Sequence, residues 1–444
     1  MKTSKPPRKN KFLPAIIFIL TTAIFAAAQT PVKSVMELQQ DVENYVNNKT
    51  RELISQGKRV DADKRNDLAN ERKNVAAKYA AEAAARSDLT KTDFYYLGLL
   101  YVTAEDNVKG LETMKKFLAQ YPSETKGDMI QSARSYALIL ATRRKLMAEA
   151  EQFYQDWLKG EPLIKTQQPM LESILATGFF KDGQYEQAIK YGQEAFDLLK
   201  AFEAKNPRDK RDKEQIYMNL VEVLSLSYKK NKNSDQSLSI LAEARAASFT
   251  IPSANLYRKV MDFVAGSGFS EKKLMQKVES YATADPAPDL KIVEWLGQEP
   301  VNLSSLRGKI VLLDFWATWC IPCISTFPRL RDWHKKYAGN DFVIVGVTKY
   351  YGNGGGKPMT KLQELDFLGE FKEKHKLPYP IAVAEPVEDS MKYGISAYPT
   401  TILLDRNGVV RYIGIGSGAE ESENLEEMIK KLLRGEPSLA SSQK

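Results

Sequence analysis

VLLDFWATWCIPC, residues 311–323, holds both cysteines of a 444-residue chain. Its first five residues are apolar except for Asp314. Two tryptophans and a Cys-x-x-Cys follow. The longer run KIVLLDFWA (309–317) has the composition of a strand buried on both faces. Cys320 then opens a helix expected to extend through about Tyr337. That places the first thiol at a helix N-terminus, where free N–H groups and the positive end of the helix dipole stabilise a thiolate. Pro322 falls in the first turn, where a missing N–H costs little. One turn of helix brings Cys323 close enough to close a disulfide or to resolve a mixed one.

Other uses of the pair compete with dithiol–disulfide exchange. A structural disulfide usually closes a long loop, and this one would close two residues. A zinc site needs two more ligands, and the only histidines, His334 and His375, stand about 40 residues apart. A c-type haem site needs histidine directly after the second cysteine, where Ile324 stands. Exchange chemistry is the leading reading, with no metal and no cofactor expected.

The bulk composition limits the partners. Hydrophobic residues make up 43% and charged residues 27%, which is globular rather than disordered, and the length points to two or three domains. The formal charge is +8, but Lys2, Lys5, Arg8, Lys9 and Lys11 supply five of those charges, leaving +3 on the remainder. No basic stripe interleaves with aromatics, so no nucleic-acid partner is expected. The basic start precedes FLPAIIFILTTAIFAAA, and Ala26-Ala27-Ala28 offers a cleavage site before Gln29. Residues 1–28 are expected to be a signal peptide, which implies export to a compartment such as the bacterial periplasm. The alternative is an uncleaved N-terminal tether. Outside 320 and 323 the chain avoids cysteine, so it cannot trap its reactive pair in a wrong internal bridge.

Residues 29–281 are expected to be helical. Val35, Leu38, Val42 and Val46, then Val75 and Tyr79, mark two helices before residue 87. Residues 90–250 lack strand-like alternation and carry a loose period of about 35 to 50 residues. The clearest unit is LATGFFKDGQYEQAIKYGQEAF (175–196). Its Leu175, Ala176, Phe179, Gly183, Tyr185, Ala188, Ile189 and Ala195 resemble the tetratricopeptide (TPR) helix–turn–helix. Residues 96–122 place Leu97, Gly98, Tyr101, Gly110 and Pro122 similarly. Weaker units begin near 131 (Leu138, Ala150, Tyr154) and 218 (Leu224, Tyr228, Ala244). The alternative is a helical bundle with chance matches. The TPR resemblance implies a solenoid whose concave face holds a peptide or protein ligand.

ATADPAPDL (282–290) breaks the helical pattern with two prolines and is expected to be a linker. From about 285 the chain is expected to fold alone, with the α/β domain at 291–435 and a flexible tail at 436–444. DFVIVGVT (341–348), YPIAVA (379–384), TTILLD (400–405) and VVRYIGI (409–415) read as strands, the last two joined through Asn407-Gly408. SENLEEMIKKLLRG (422–435) reads as an amphipathic helix, and GNGGG (352–356) as a flexible loop, since Pro358 stands where a phosphate loop needs Ser or Thr.

VLLDFWATWCIPC resembles the thioredoxin active-site strand and helix, and residues 286–434 resemble the TlpA-like branch of exported thioredoxin-fold oxidoreductases. The likeness rests also on Pro328, on Tyr398-Pro399-Thr400, on Gly414, on the lead-in LSSLRGK and on an insertion at 349–375. It covers about a third of the chain. It implies a thioredoxin fold with a cis-proline loop at Pro399 facing the disulfide. Cys320 would attack and Cys323 resolve. Asp314, if buried, would take up and return the proton of Cys323. Tyr398 and Thr400 would dock a client chain as an added strand, beside Trp319 and Pro322, with Trp316 and Trp319 flanking the sulfurs, core packing alone fitting Trp316 about as well. The implied partners are client proteins with disulfides and a thiol electron donor, the likelier direction being client reduction. Thr326 stands where many haem-maturation members carry an acid, and Ile321 where thioredoxin has glycine. Two other classes remain open: a TPR scaffold with a minor redox role, and a dithiol that hands copper between partners. No Met or His ligand accompanies residue 320 in the sequence, which weighs against copper.

Overall fold

The computed structural model describes residues 32–121, 126–250, 252–270, 273–274, 277, 285–337, 339 and 341–435. The expected signal peptide, the tail, Pro122 and the first three residues of the 282–290 linker lie outside them. The chain divides at Glu105–Asp106 into two compact units. The sequence suggested a division at 282–290 instead. The first unit holds α1 (Val35–Ser55), α2 (Ala62–Ala84) and α3 (Lys91–Thr103). Ser34 and Glu37 cap α1 reciprocally, as Thr90 and Asp93 cap α3. Val35, Leu38 and Val42 pack with Ala76, Ala80 and Ala83 of α2 and Leu97 and Leu100 of α3.

The second unit begins with α4 (Asn107–Leu118), α5 (Asp128–Arg143), α6 (Met147–Lys159), α7 (Gln168–Lys181), α8 (Tyr185–Lys200), α9 (Pro207–Lys230), α10 (Ser234–Thr250) and α11 (Ala254–Ser267). From α4 to α11 each helix packs on the next, and α7 packs on both α5 and α9, the connectivity of stacked helical hairpins. One turn recurs: Glu105, Lys145, Gly183 and Lys232 adopt positive φ of 62°, 59°, 79° and 59°. After three of them the next N–H reaches back to close the helix: Leu146 to Ala141 O, Gln184 to Phe179 O, Asn233 to Tyr228 O, at 2.8–2.9 Å. Only one of the four is glycine. The others accept a left-handed cost of roughly 1 kcal/mol, so the repeated turn is nearly invisible in the sequence. Ala188 is buried, and Gly192 admits Leu224, whose Cδ2 lies 2.9 Å from where a Cβ would stand.

The rest is a mixed sheet in the order β1-β6-β3-β2-β7-β8. Its strands are β1 (Ile292–Leu296), β2 (Ile310–Phe315), β3 (Phe342–Lys349), β6 (Ile381–Ala384), β7 (Thr400–Leu404) and β8 (Val410–Ile415). β2, β3 and β6 are parallel; β1, β7 and β8 run antiparallel to their neighbours. Helices α12 (Ile321–Tyr337), α13 (Lys361–Lys374), α14 (Glu388–Tyr393) and α15 (Ala419–Leu433) connect or close it. β2 is central, and all six of its residues are buried. The flexible loop expected at 352–356 is corrected: β4 (Asn353–Gly354) pairs with β5 (Lys357–Pro358). The buried Glu364 carboxylate accepts from the N–H groups of Tyr351 and Gly352 and holds this hairpin. β1 went unread, because IVEWL neither alternates nor forms a pure apolar run.

Residues 249–257 of the helical region share a core with the sheet. Ala254, with Phe249 and Tyr257 beside it, joins Val311, Leu313, Ile402 and Ile413 on one sheet face, together with Ala287 and Leu290. The opposite face packs under α12, α13 and α15.

Candidate active site

Cys320 ends the turn after β2, and Ile321 is the first residue of α12. Cys320 and Cys323 form a disulfide with Cα atoms 5.2 Å apart. The Cys323 N–H donates to Cys320 Sγ at 3.2 Å, so a helix-terminal donor already points at that sulfur. Cys320 keeps 4% of its surface exposed and Cys323 none. Pro322 is exposed beside them, and Ile321 is 79% exposed. Thr326, buried, donates to the Cys323 carbonyl at 2.7 Å.

Asp314 is the next-to-last residue of β2, paired with Gly346 on β3 and Thr401 on β7. Strand alternation puts it on the face of Leu312 and Trp316, which form one core with both cysteines. It is fully buried, and neither carboxylate oxygen has a hydrogen-bond partner among the described residues. Burial pushes its pKa up to about 7, against the opposing charge of Arg329. Gly346 keeps space open there, since a Cβ would stand 2.9 Å from Trp316 Nε1 and 3.4 Å from Tyr379 Cε2. Tyr379 OH and Trp316 Nε1 are also buried and unpartnered. A carboxyl with a pKa near 7, on the core face that holds both cysteines, can exchange protons in either direction.

The Tyr398–Pro399 peptide bond is cis. Thr400 pairs with Phe315, which sets Pro399 level with the start of the cysteine turn. Trp319 is 57% exposed and meets Tyr351 and Tyr398 edge-on, at centroid distances of 5.6 and 6.1 Å. Trp316 does not flank the sulfurs from outside. It is buried, stacked on Phe371 and edge-on to Phe327, so it packs the core. Three residues join the site that the sequence reading missed. Asp389 accepts from Tyr398 OH at 2.6 Å and from Lys349 Nζ at 2.9 Å, and Lys349 lies over the Tyr351 ring. Nothing local marks Asp389 in PVEDSMKYG; only the fold brings α14 beside the cis-proline loop. Among the described residues no cluster of three or more His, Cys, Asp or Glu side chains could hold a metal ion.

Known proteins share this arrangement's sequence. The model of the AhpC/TSA family matches residues 283–413. The thiol-disulfide oxidoreductase ResA of Geobacillus thermodenitrificans is 31% identical over 140 residues, 32% of this chain and 73% of that protein. The chain belongs to the ResA-type thiol-disulfide oxidoreductases. Protein DipZ of Mycobacterium tuberculosis is 33% identical over 161 residues, and the chain spans only 21% of its length. A thiol:disulfide interchange protein DsbE of Chlorobium tepidum aligns over 34% of this chain and 96% of its own, at 30% identity and a TM-score of 0.28. The sheet, in the order β1-β6-β3-β2-β7-β8, and its helices have the thioredoxin fold. Each of these alignments covers about a third of the chain.

Proposed function

We propose that the protein is an exported thiol–disulfide oxidoreductase that reduces client disulfides through Cys320 and Cys323, with the helical region serving to bind partners. The observation that carries this reading is the Cys320–Cys323 bridge at the start of α12, on the same core face as a buried, unpartnered carboxyl. In the reduced form Cys320 attacks one client sulfur, and the other leaves as a thiolate. Asp314 takes the proton of Cys323. The Cys323 thiolate then attacks Cys320 Sγ, releasing the second client thiol and closing the bridge. Two electrons have passed to the client, and an external thiol donor restores the pair. The Tyr398–Pro399–Thr400 segment, with Trp319 and Pro322, would seat the client chain.

The test is the reduction potential of the pair, with insulin reduction as the activity. A value near roughly −270 mV fits a reductant, and one near roughly −120 mV would make the protein an oxidant. Export rests on the basic start and on Ala26-Ala27-Ala28. Protein from the native host is expected to begin at Gln29 on N-terminal sequencing. An intact Met1 on a membrane-bound species would mean a tether.

A further inference from the structure

The segment that carries the cis-proline loop is held at its far end by the helical region. Lys210 and Glu214 lie one turn apart on α9. Lys210 Nζ donates to the Met391 carbonyl, in the last turn of α14, at 2.7 Å. Glu214, buried, accepts from Ser253 Oγ at 2.5 Å and from Asn255 Nδ2 at 2.7 Å. Ser253 is the N-cap of α11, and Asn255 lies in its first turn. The Asn255 N–H, free of any helical partner at that position, donates to the Gly394 carbonyl at 3.1 Å. Asn255 Oδ1 also accepts from Ser396 Oγ at 3.4 Å. Gly394 is the αL cap of α14, with φ 57°, and a Cβ there would stand 2.3 Å from Ser253 Oγ. No side chain fits between the two regions at that point.

The same segment reaches the redox site at its other end. Ile395 is buried with Ala254 in the shared core. Four residues later comes Pro399. Asp389, at the start of α14, holds Tyr398 OH. The helix and its loop, 388–399, are therefore pinned from the site side by Asp389 and from the helical side by Lys210, Ser253 and Asn255.

We propose that Glu214, Ser253 and Asn255 are positioning residues for client docking: they fix the 394–399 segment, so the helical region shapes the surface that a polypeptide disulfide meets. The inference rests on the oxidoreductase reading above. It separates two kinds of substrate. A polypeptide disulfide must lie along the cis-proline loop, whereas a small aromatic disulfide needs only the Cys320 sulfur. A loosened loop costs the first and spares the second.

The experiment compares wild type with Asn255→Ala in the full chain. The substrates are insulin and 5,5′-dithiobis(2-nitrobenzoate). In Asn255→Ala, kcat/KM for insulin is expected to fall about tenfold, mainly through KM. The rate on the small disulfide and the reduction potential should stay within about twofold. Hydrogen exchange at the 394–399 amides should quicken. Ser396→Ala removes one contact from the exposed side and should show the same split, more weakly; it serves as the test if Asn255→Ala does not fold. A folded variant that loses both activities together, or neither, overturns the proposal. Wild type inert toward both substrates would overturn the oxidoreductase reading, and this inference with it.

Discussion

Asp314→Asn is expected to slow the resolving step by about 100-fold near neutral pH while changing the first attack by less than about threefold. The asymmetry follows from position. The carboxyl points to the sheet face that packs under α12, and the thiol proposed above to need a base is the fully buried Cys323. Cys320 has its own stabilisation, an N–H donor at 3.2 Å and the end of a helix. In wild type the resolution rate should rise with pH through about 7, as Asp314 ionises. In the variant that limb should vanish. Stopped-flow measurement of mixed-disulfide decay checks this. Equal slowing of attack and resolution would sink the assignment.

The same residue gives a stability signature in the oxidised protein. The folded pKa of Asp314 is raised to about 7, against an ordinary value of 3.8. Between about pH 4 and 7 the folded protein keeps a proton that the unfolded chain has lost. Stability therefore falls as pH rises through that window and levels off above it. The full displacement corresponds to on the order of 4 kcal/mol. Asp314→Asn removes the penalty, so it should stabilise the oxidised protein at pH 8 and hardly at all at pH 4. Urea unfolding at the two pH values reads the difference directly; a pH-independent gain would mean that the carboxyl is not held neutral by burial.

What was legible in the sequence was what a short stretch can state by itself. The apolar run of β2, the turn and the start of α12 follow from composition and spacing, and Asp314 stood out as an acid inside that run. The Asn407-Gly408 turn between β7 and β8 was equally local. The illegible parts depend on distant partners. Asp389, Lys349 and Tyr351 meet only because β3, α14 and the cis-proline loop converge. The Glu214–Ser253–Asn255 cluster joins residues about 40 apart, then reaches Gly394 and Ser396. Pro286 and Pro288 did end the helical pattern. Nothing in those prolines said that Phe249, Ala254 and Tyr257 would lie on the sheet. Three of the four recurrent turns hide for a related reason: Lys or Glu stands where glycine would have announced the left-handed residue.

Replacing either cysteine is expected to lower turnover by at least about 10³-fold, as removal of a covalent nucleophile does elsewhere, but the two losses should differ in kind. Of the two, only Cys320 keeps any exposed surface, 4%, and it stands at the positive end of α12, so it is the thiol expected to meet a client. Cys323 has no exposed surface and can react only with a sulfur already delivered to Cys320. With Cys323→Ser the first attack proceeds and nothing expels the client, so mixed disulfides through Cys320 should accumulate and persist. With Cys320→Ser no capture should occur, because the remaining thiol is buried and the donor that pointed at Cys320 Sγ has lost its sulfur. The measurement is acid quench of cells expressing each form, followed by non-reducing separation and mass spectrometry of the adducts. Those adducts would also identify the clients, and their loss in a Cys323→Ser, Asn255→Ala double variant would tie capture to the loop clasped by α11. Traps forming equally well through Cys323 in the Cys320→Ser protein would show that burial and the helix terminus do not divide the labour, and both thiols would have to be given the same role.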